Sequence, residues 1–153
     1  MDYDNLMIEV ENEGIKLYEN NRIGRYKGLY FNNTITLNTN INTLAEKKCV
    51  LVEELGHHHR TAGDIIDQSD IRNVKQEKIA RAWGYEKLVS VLDIINAFKN
   101  GISNRYEFAE YLGVTEEFLE DVIEHYRTKY GLLLKVGNYV IYFNPLSVLE
   151  VYD

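Results

Sequence analysis

The chain has 153 residues, one Cys and a formal net charge of -7. That length suits one domain or two small ones, and the acidic balance disfavours non-specific binding to nucleic acid or to an anionic membrane surface. The lone Cys argues for a reducing compartment, no apolar run is long enough to span a membrane, and the acidic start Met1-Asp2-Tyr3-Asp4-Asn5 is unlike a signal peptide, so a cytoplasmic protein with no membrane partner is expected.

Asn5 to about Glu13 is predicted as a short amphipathic helix, with Leu6, Met7, Ile8 and Val10 apolar and Gly14 as its stop. Ile15-Lys16-Leu17-Tyr18-Glu19 alternates like a half-buried strand. Gly28–Phe31 and Thr34–Asn38 read as two more strands. Asn32-Asn33 between them suits a tight hairpin, because Asn tolerates positive φ. Thr43, with Glu46 three residues on, is a fair N-cap for a helix to about Arg60. Gly63 lies just past its end, and Asp64 to Ser69 reads as loop. A second helix is predicted from Asp70 to about Tyr85. Lys87 to Lys99 is amphipathic, with Leu88, Val91, Leu92, Ile95 and Phe98 at helical spacing. Arg105 to Leu112, Gly113-Val114-Thr115 and a longer helix to Tyr130 have a helix-turn-helix cadence. Leu132–Val136 and Tyr139–Phe143 form a terminal hairpin across Gly137-Asn138, which Pro145 ends. The class is α+β, divided as 1–85, 86–131 and 132–153.

The chemistry concentrates in Cys49-Val50-Leu51-Val52-Glu53-Glu54-Leu55-Gly56-His57-His58-His59. An apolar run leads into two carboxylates and three imidazoles, and burying such groups unpaired is expensive. On a helix, Glu53 and His57 stand at i and i+4 and share a face. The zinc-peptidase pattern H-E-x-x-H places two ligands at that spacing with a general-base Glu at i+1. Glu53-Glu54-Leu55-Gly56-His57 has this layout with Glu in the first place, and carboxylate oxygen is an accepted zinc ligand. The other reading is an exposed Glu–His pair on a polar helix end. Cys49 is eight residues from His57, roughly 12 Å of helix rise, and reads as packing. On the next helix, Glu77 and the small Ala80 share a face, so two helices could approach until both reach one ion. Glu77 is the candidate third ligand, and a solvated Glu is the competing reading.

These segments resemble the ImmA/IrrE family of metallo-endopeptidases of phages and mobile elements. The resemblance rests on Gly28-Leu29-Tyr30, Thr34-Ile35-Thr36-Leu37-Asn38 and Glu46 through His58. It rests further on Thr61-Ala62-Gly63-Asp64, Lys75-Gln76-Glu77 with Ala80, Ala82 and Trp83, and Tyr106 through Thr115 with Tyr126 and Tyr130-Gly131. It spans nearly the whole chain. It implies a zincin-like core over 1–85, and cleavage of a helix-turn-helix-type repressor that silences a mobile element. It also implies Glu77 as third ligand, because the family's third ligand is a Glu on the helix after the motif. The departure is Glu53, where many members carry His.

On this reading Glu53, His57 and Glu77 hold Zn2+, with Mn2+ or Fe2+ as alternatives, and Glu54 is the general base. A sheet edge would hold the substrate extended, and the strand with Thr34, Ile35 and Thr36 is the expected one. Tyr30, His58 and His59 are the candidates for an oxyanion donor or a supporting contact. The helix after Thr115 carries Glu116, Glu117, Glu120, Asp121 and Glu124, so DNA binding is not expected there and a protein partner is. The alternative function is a catalytically weak or inactive zincin-like module that binds and sequesters a repressor or toxin.

Overall fold

The computed structural model describes residues 1–60 and 71–152. The predicted stop at Gly63 and loop Asp64 to Ser69 lie outside them. The fold is mixed α+β, with six helices and two three-stranded sheets among the described residues. It divides into two compact units, Met1–Leu88 and Val89–Asp153. No helix of the described residues is long and apolar enough to cross a membrane.

In the first unit α1 (Tyr3–Asn12) starts at Asp2, whose carboxylate accepts from the Asn5 amide at 2.8 Å. Leu6 and Val10, one turn apart, are its buried face. β1 (Lys16–Asn20), β2 (Gly28–Phe31) and β3 (Thr34–Asn38) follow. The Asn32-Asn33 turn has φ of 49° and 57°, the left-handed pair that a two-residue hairpin needs. Strand order is β1-β3-β2, with β1 parallel and β2 antiparallel to β3.

This order corrects the expectation that Thr34, Ile35 and Thr36 form the substrate edge. β3 is the central strand, and both of its ladders are taken by β1 and β2. Among the described residues the edges are β1 and β2. Buried Asn38 secures the entry to β2: its side chain donates to the carbonyls of Gly24 and Tyr26 and accepts from the Asn40 amide.

α2 (Leu44–Arg60) is capped by Thr43, whose hydroxyl accepts from the Glu46 amide at 3.1 Å. It packs on β2, β3 and α1, and most closely on α3 (Ile71–Leu88). Small residues permit that approach: a Cβ added at Gly56 would collide with the Ala80 carbonyl, and one added at Gly84 would stand 3.2 Å from a Val52 methyl.

In the second unit α4 (Val91–Lys99) begins at a reciprocal cap between Ser90 and Asp93. The helix break therefore falls at Val89-Ser90 rather than before Lys87, because the cap outweighs the apolar spacing that runs across it. α5 (Arg105–Leu112) ends on Gly113 in the left-handed conformation, and α6 (Glu116–Tyr130) starts from the Thr115 cap. The C-terminal sheet has three strands, β4 (Leu133–Val136), β5 (Tyr139–Phe143) and β6 (Leu146–Glu150), in that order. The hairpin expected from sequence is thus extended by one strand. β6 pairs with β5 across the tight Asn144-Pro145 turn and buries Leu146 and Val148.

Candidate active site

Three ionisable side chains of the first unit are buried and line one cavity. Glu54 and His57 come from α2 and Glu77 from α3. His57 Nε2 lies 3.1 Å from Glu77 Oε2, and Arg81 Nε lies 3.2 Å from the other oxygen, Oε1. Glu77 is thus gripped at both oxygens by groups from two helices. The crossing at Gly56 and Ala80 is what brings α2 and α3 close enough for this.

Glu53, Glu54, His57, Glu77 and Arg81 line one cavity of about 220 Å³, together with β2 residues including Gly28 and Tyr30. Glu53 is half-buried. Among the described residues, no three His, Cys, Asp or Glu side chains are gathered closely enough to hold an ion. The structure joins His57 to Glu77 directly and places Glu53 on the wall of the same cavity.

β2 presses on the site. A Cβ at Gly28 would stand 2.6 Å from a Val50 methyl and 3.0 Å from Glu54 Cγ, so glycine lets the strand lie against the Glu54 side chain. The Gly-x-Tyr signal was visible in sequence, but this reason for it was not.

The electrostatics follow from burial and neighbours. Burial pushes the Glu54 carboxyl up to about 7, with Glu53 and Glu77 adding to the rise and His57 and Arg81 opposing it. Burial works against a charge on His57, yet the Glu77 hydrogen bond and the surrounding carboxylates outweigh it and raise its pKa. Burial would likewise raise Glu77, but the His57 and Arg81 contacts win and lower it. Glu54 is therefore a carboxyl poised near neutrality beside an ion-paired imidazole, which is the condition for accepting and returning a proton.

The other expected residues separate. His58 Nδ1 is 2.7 Å from the Tyr30 hydroxyl. His59 stacks on Trp83, with ring centroids 4.8 Å apart, and its Nε2 is 2.8 Å from Glu13 Oε1. Cys49 is buried. Glu13 and Arg81 join these contacts without having been expected from sequence. Arg81 had a local signal, four residues after Glu77, whereas Glu13 is 46 positions from His59 and left none.

A buried carboxyl, an imidazole and a carboxylate held at both oxygens thus line one cavity beside β2. The family model of the IrrE N-terminal-like domain, Peptidase M78, matches residues 10–124, and the chain belongs to this ImmA/IrrE family of metallopeptidase type. No curated protein and no solved structure matches the chain.

Proposed function

We propose that the protein is a zinc-dependent endopeptidase that cleaves a repressor of a phage or mobile element. The observation that carries the reading is buried Glu54 beside the His57–Glu77 pair at the cavity wall. A zinc centre is tested by the donor spacing. Two ligands of one tetrahedral zinc ion stand about 3.3 Å apart, given bonds of ~2.0–2.1 Å. His57 Nε2 and Glu77 Oε2, 3.1 Å apart, fit that spacing. Glu53 would complete the set from the same cavity wall. Two carboxylates and one imidazole are a harder donor set than two imidazoles and one carboxylate, so manganese or iron should compete better against zinc.

Bound there, zinc would supply Lewis-acid polarisation of the scissile carbonyl and acidify the attacking water. Glu54 takes a proton from that water and delivers it to the leaving amine, tasks suited to a carboxyl with a pKa of about 7. Arg81 keeps one oxygen of Glu77 occupied, leaving the other directed at His57. β2 is the edge beside Glu54, so an extended substrate adding to the sheet there would pass the base.

The ungathered third donor among the described residues favours one rival, a catalytically weak or inactive zincin-like module that binds and sequesters a repressor or toxin. One experiment separates them. The zinc-loaded protein is incubated with the helix-turn-helix repressor encoded beside its gene, with and without chelator. Fragments should appear only without chelator, and Glu54→Gln should bind zinc yet give none. Complex formation without fragments would establish sequestration instead. His57→Ala and Glu77→Ala should each lose the ion by metal analysis, and full occupancy in Glu77→Ala would remove Glu77 from the site.

A further inference from the structure

The peptidase reading leaves the oxyanion donor open among Tyr30, His58 and His59, and the packing of β2 on α2 separates them. Gly28 and Tyr30 are two residues apart on a strand, about 6.6 Å. Val50, Glu54 and His58 follow one another at four-residue steps on α2, about 6 Å each. The spacings nearly match, so strand and helix run in step. Gly28 meets Val50 and Glu54, and Tyr30 meets His58 one step further on. The Tyr30 hydroxyl and the Glu54 carboxylate thus stand in succession along one seam, and both residues line the cavity. His58 and His59 do not line it. His59 is committed elsewhere, stacked on Trp83 and bonded to Glu13.

Among the described residues the Tyr30 oxygen has two hydrogen-bonding neighbours, His58 Nδ1 at 2.7 Å and Asn33 Oδ1 at 3.3 Å. A single phenol proton cannot serve both. If His58 donates from Nδ1, the phenol proton is free to point onward, and the long contact to Asn33 is weak enough to be exchanged for a substrate oxygen. The rest of the His58 ring allows this. Its Nε2 stands 3.7 Å from Glu13 Oε2, too far for a hydrogen bond, while Glu13 accepts from His59 Nε2 at 2.8 Å.

We propose that Tyr30 is the oxyanion donor of the peptidase reaction and that His58 is its positioning residue, donating Nδ1–H to the Tyr30 oxygen. The proposal rests on the peptidase reading. Tyr30 gives a hydrogen bond to the carbonyl oxygen as negative charge develops there, and its proton stays on the phenol throughout. Glu54 alone moves a proton. The two tasks fall on neighbouring positions of the seam.

The test has two arms on the full chain. In the metal-free protein, long-range nitrogen NMR of the His58 ring should show a protonated Nδ1. A bare Nδ1 would mean that Tyr30 donates into the ring, and would overturn the proposal. In the zinc-loaded protein acting on the same repressor, Tyr30→Phe should lower kcat about 100- to 1000-fold with KM and bound zinc unchanged. His58→Asn can present an amide N–H where Nδ1 stands and should keep most of kcat. His58→Leu should lose about tenfold, the size of one hydrogen bond. A merely structural His58 would treat Asn and Leu alike. If the parent cleaves and Tyr30→Phe cleaves equally well, this proposal fails alone. If the parent leaves the repressor whole, the peptidase reading fails with it.

Discussion

The two units are built from similar parts, helices around a three-stranded sheet, yet they bury different things. Every buried polar or charged residue among the described ones, Asn38, Lys48, Glu54, His57 and Glu77, belongs to the first unit. The second unit buries apolar side chains such as Ile94, Phe108, Leu119, Ile141 and Phe143, with Tyr126 giving its hydroxyl proton to the Val89 carbonyl at 2.6 Å. Burying ionisable groups opposes folding unless they are paired. The second unit avoids that cost. The first accepts it at one place, where α2, α3 and β2 meet, and that is where chemistry is to be sought.

The contrast can be broken first at the apolar core. Phe143 is fully buried and flanked by Tyr126 and Tyr130, with ring centroids at 5.9 and 6.5 Å. Phe143→Ala is expected to cost about 3–5 kcal/mol in denaturant unfolding, the usual loss for a large core ring. A loss below about 1 kcal/mol would mean that this core carries far less than its burial implies.

Glu54 should give the next largest effect, and it is a matter of pH. In the metal-free protein its folded pKa is about 7, raised from 4.5 by burial. Below pH 4.5 both states are protonated and no stability is lost. As pH rises from 4.5 to 7 the unfolded state ionises first, so stability falls, by up to ~3 kcal/mol at 1.36 kcal/mol per pKa unit. Glu54→Gln should remove that decline. Parallel stability–pH curves for parent and variant over this window would show that Glu54 ionises as freely in the folded chain as in water.

Third in size is the helix crossing. Gly56→Ala drives a methyl into the Ala80 carbonyl, a backbone atom that cannot swing aside. The expected cost is about 1–3 kcal/mol, with loss of the His57–Glu77 contact. Unchanged stability, or an imidazole still paired to Glu77 by NMR, would show that α2 and α3 can part without harm to the site.

What was legible in the sequence follows the range of the forces involved. α5, Gly113, Thr115 and α6 read correctly because caps and stops act within four residues. The Glu53, Glu54 and His57 pattern read correctly as one helix for the same reason. The α3–α4 break lies later than apolar spacing predicts, because that spacing continues through it and the Ser90–Asp93 cap sets the start of α4. β6 was missed because five residues after a proline turn carry too little alternation to stand apart. Strand order was beyond reach. That β3 is central, not an edge, depends on β1 pairing with a segment that begins eighteen positions after its own start. The Glu13–His59 bond and the Gly28–Glu54 packing are long-range too, and neither leaves a local periodic trace.

The smallest expected effect asks whether the units differ anywhere besides their cores. Thr43 and Thr115 are matched N-caps, one in each unit. Thr43 Oγ1 accepts from the Glu46 amide at 3.1 Å, and Thr115 Oγ1 from the Phe118 amide at 3.0 Å. Each satisfies one amide that the first turn of a helix leaves without an intrahelical partner. Thr→Ala removes that bond and little else, so about 1 kcal/mol should be lost at either position. Equal losses would confine the difference between the units to what they bury. A loss at Thr43 several times that at Thr115 would instead mean that the start of α2 is under load, pulled into place by the Lys27–Glu46 ion pair and by β2 pressing on Glu54. Thr43→Ser separates these outcomes. It keeps the oxygen that accepts from Glu46, and should restore stability if the cap alone matters.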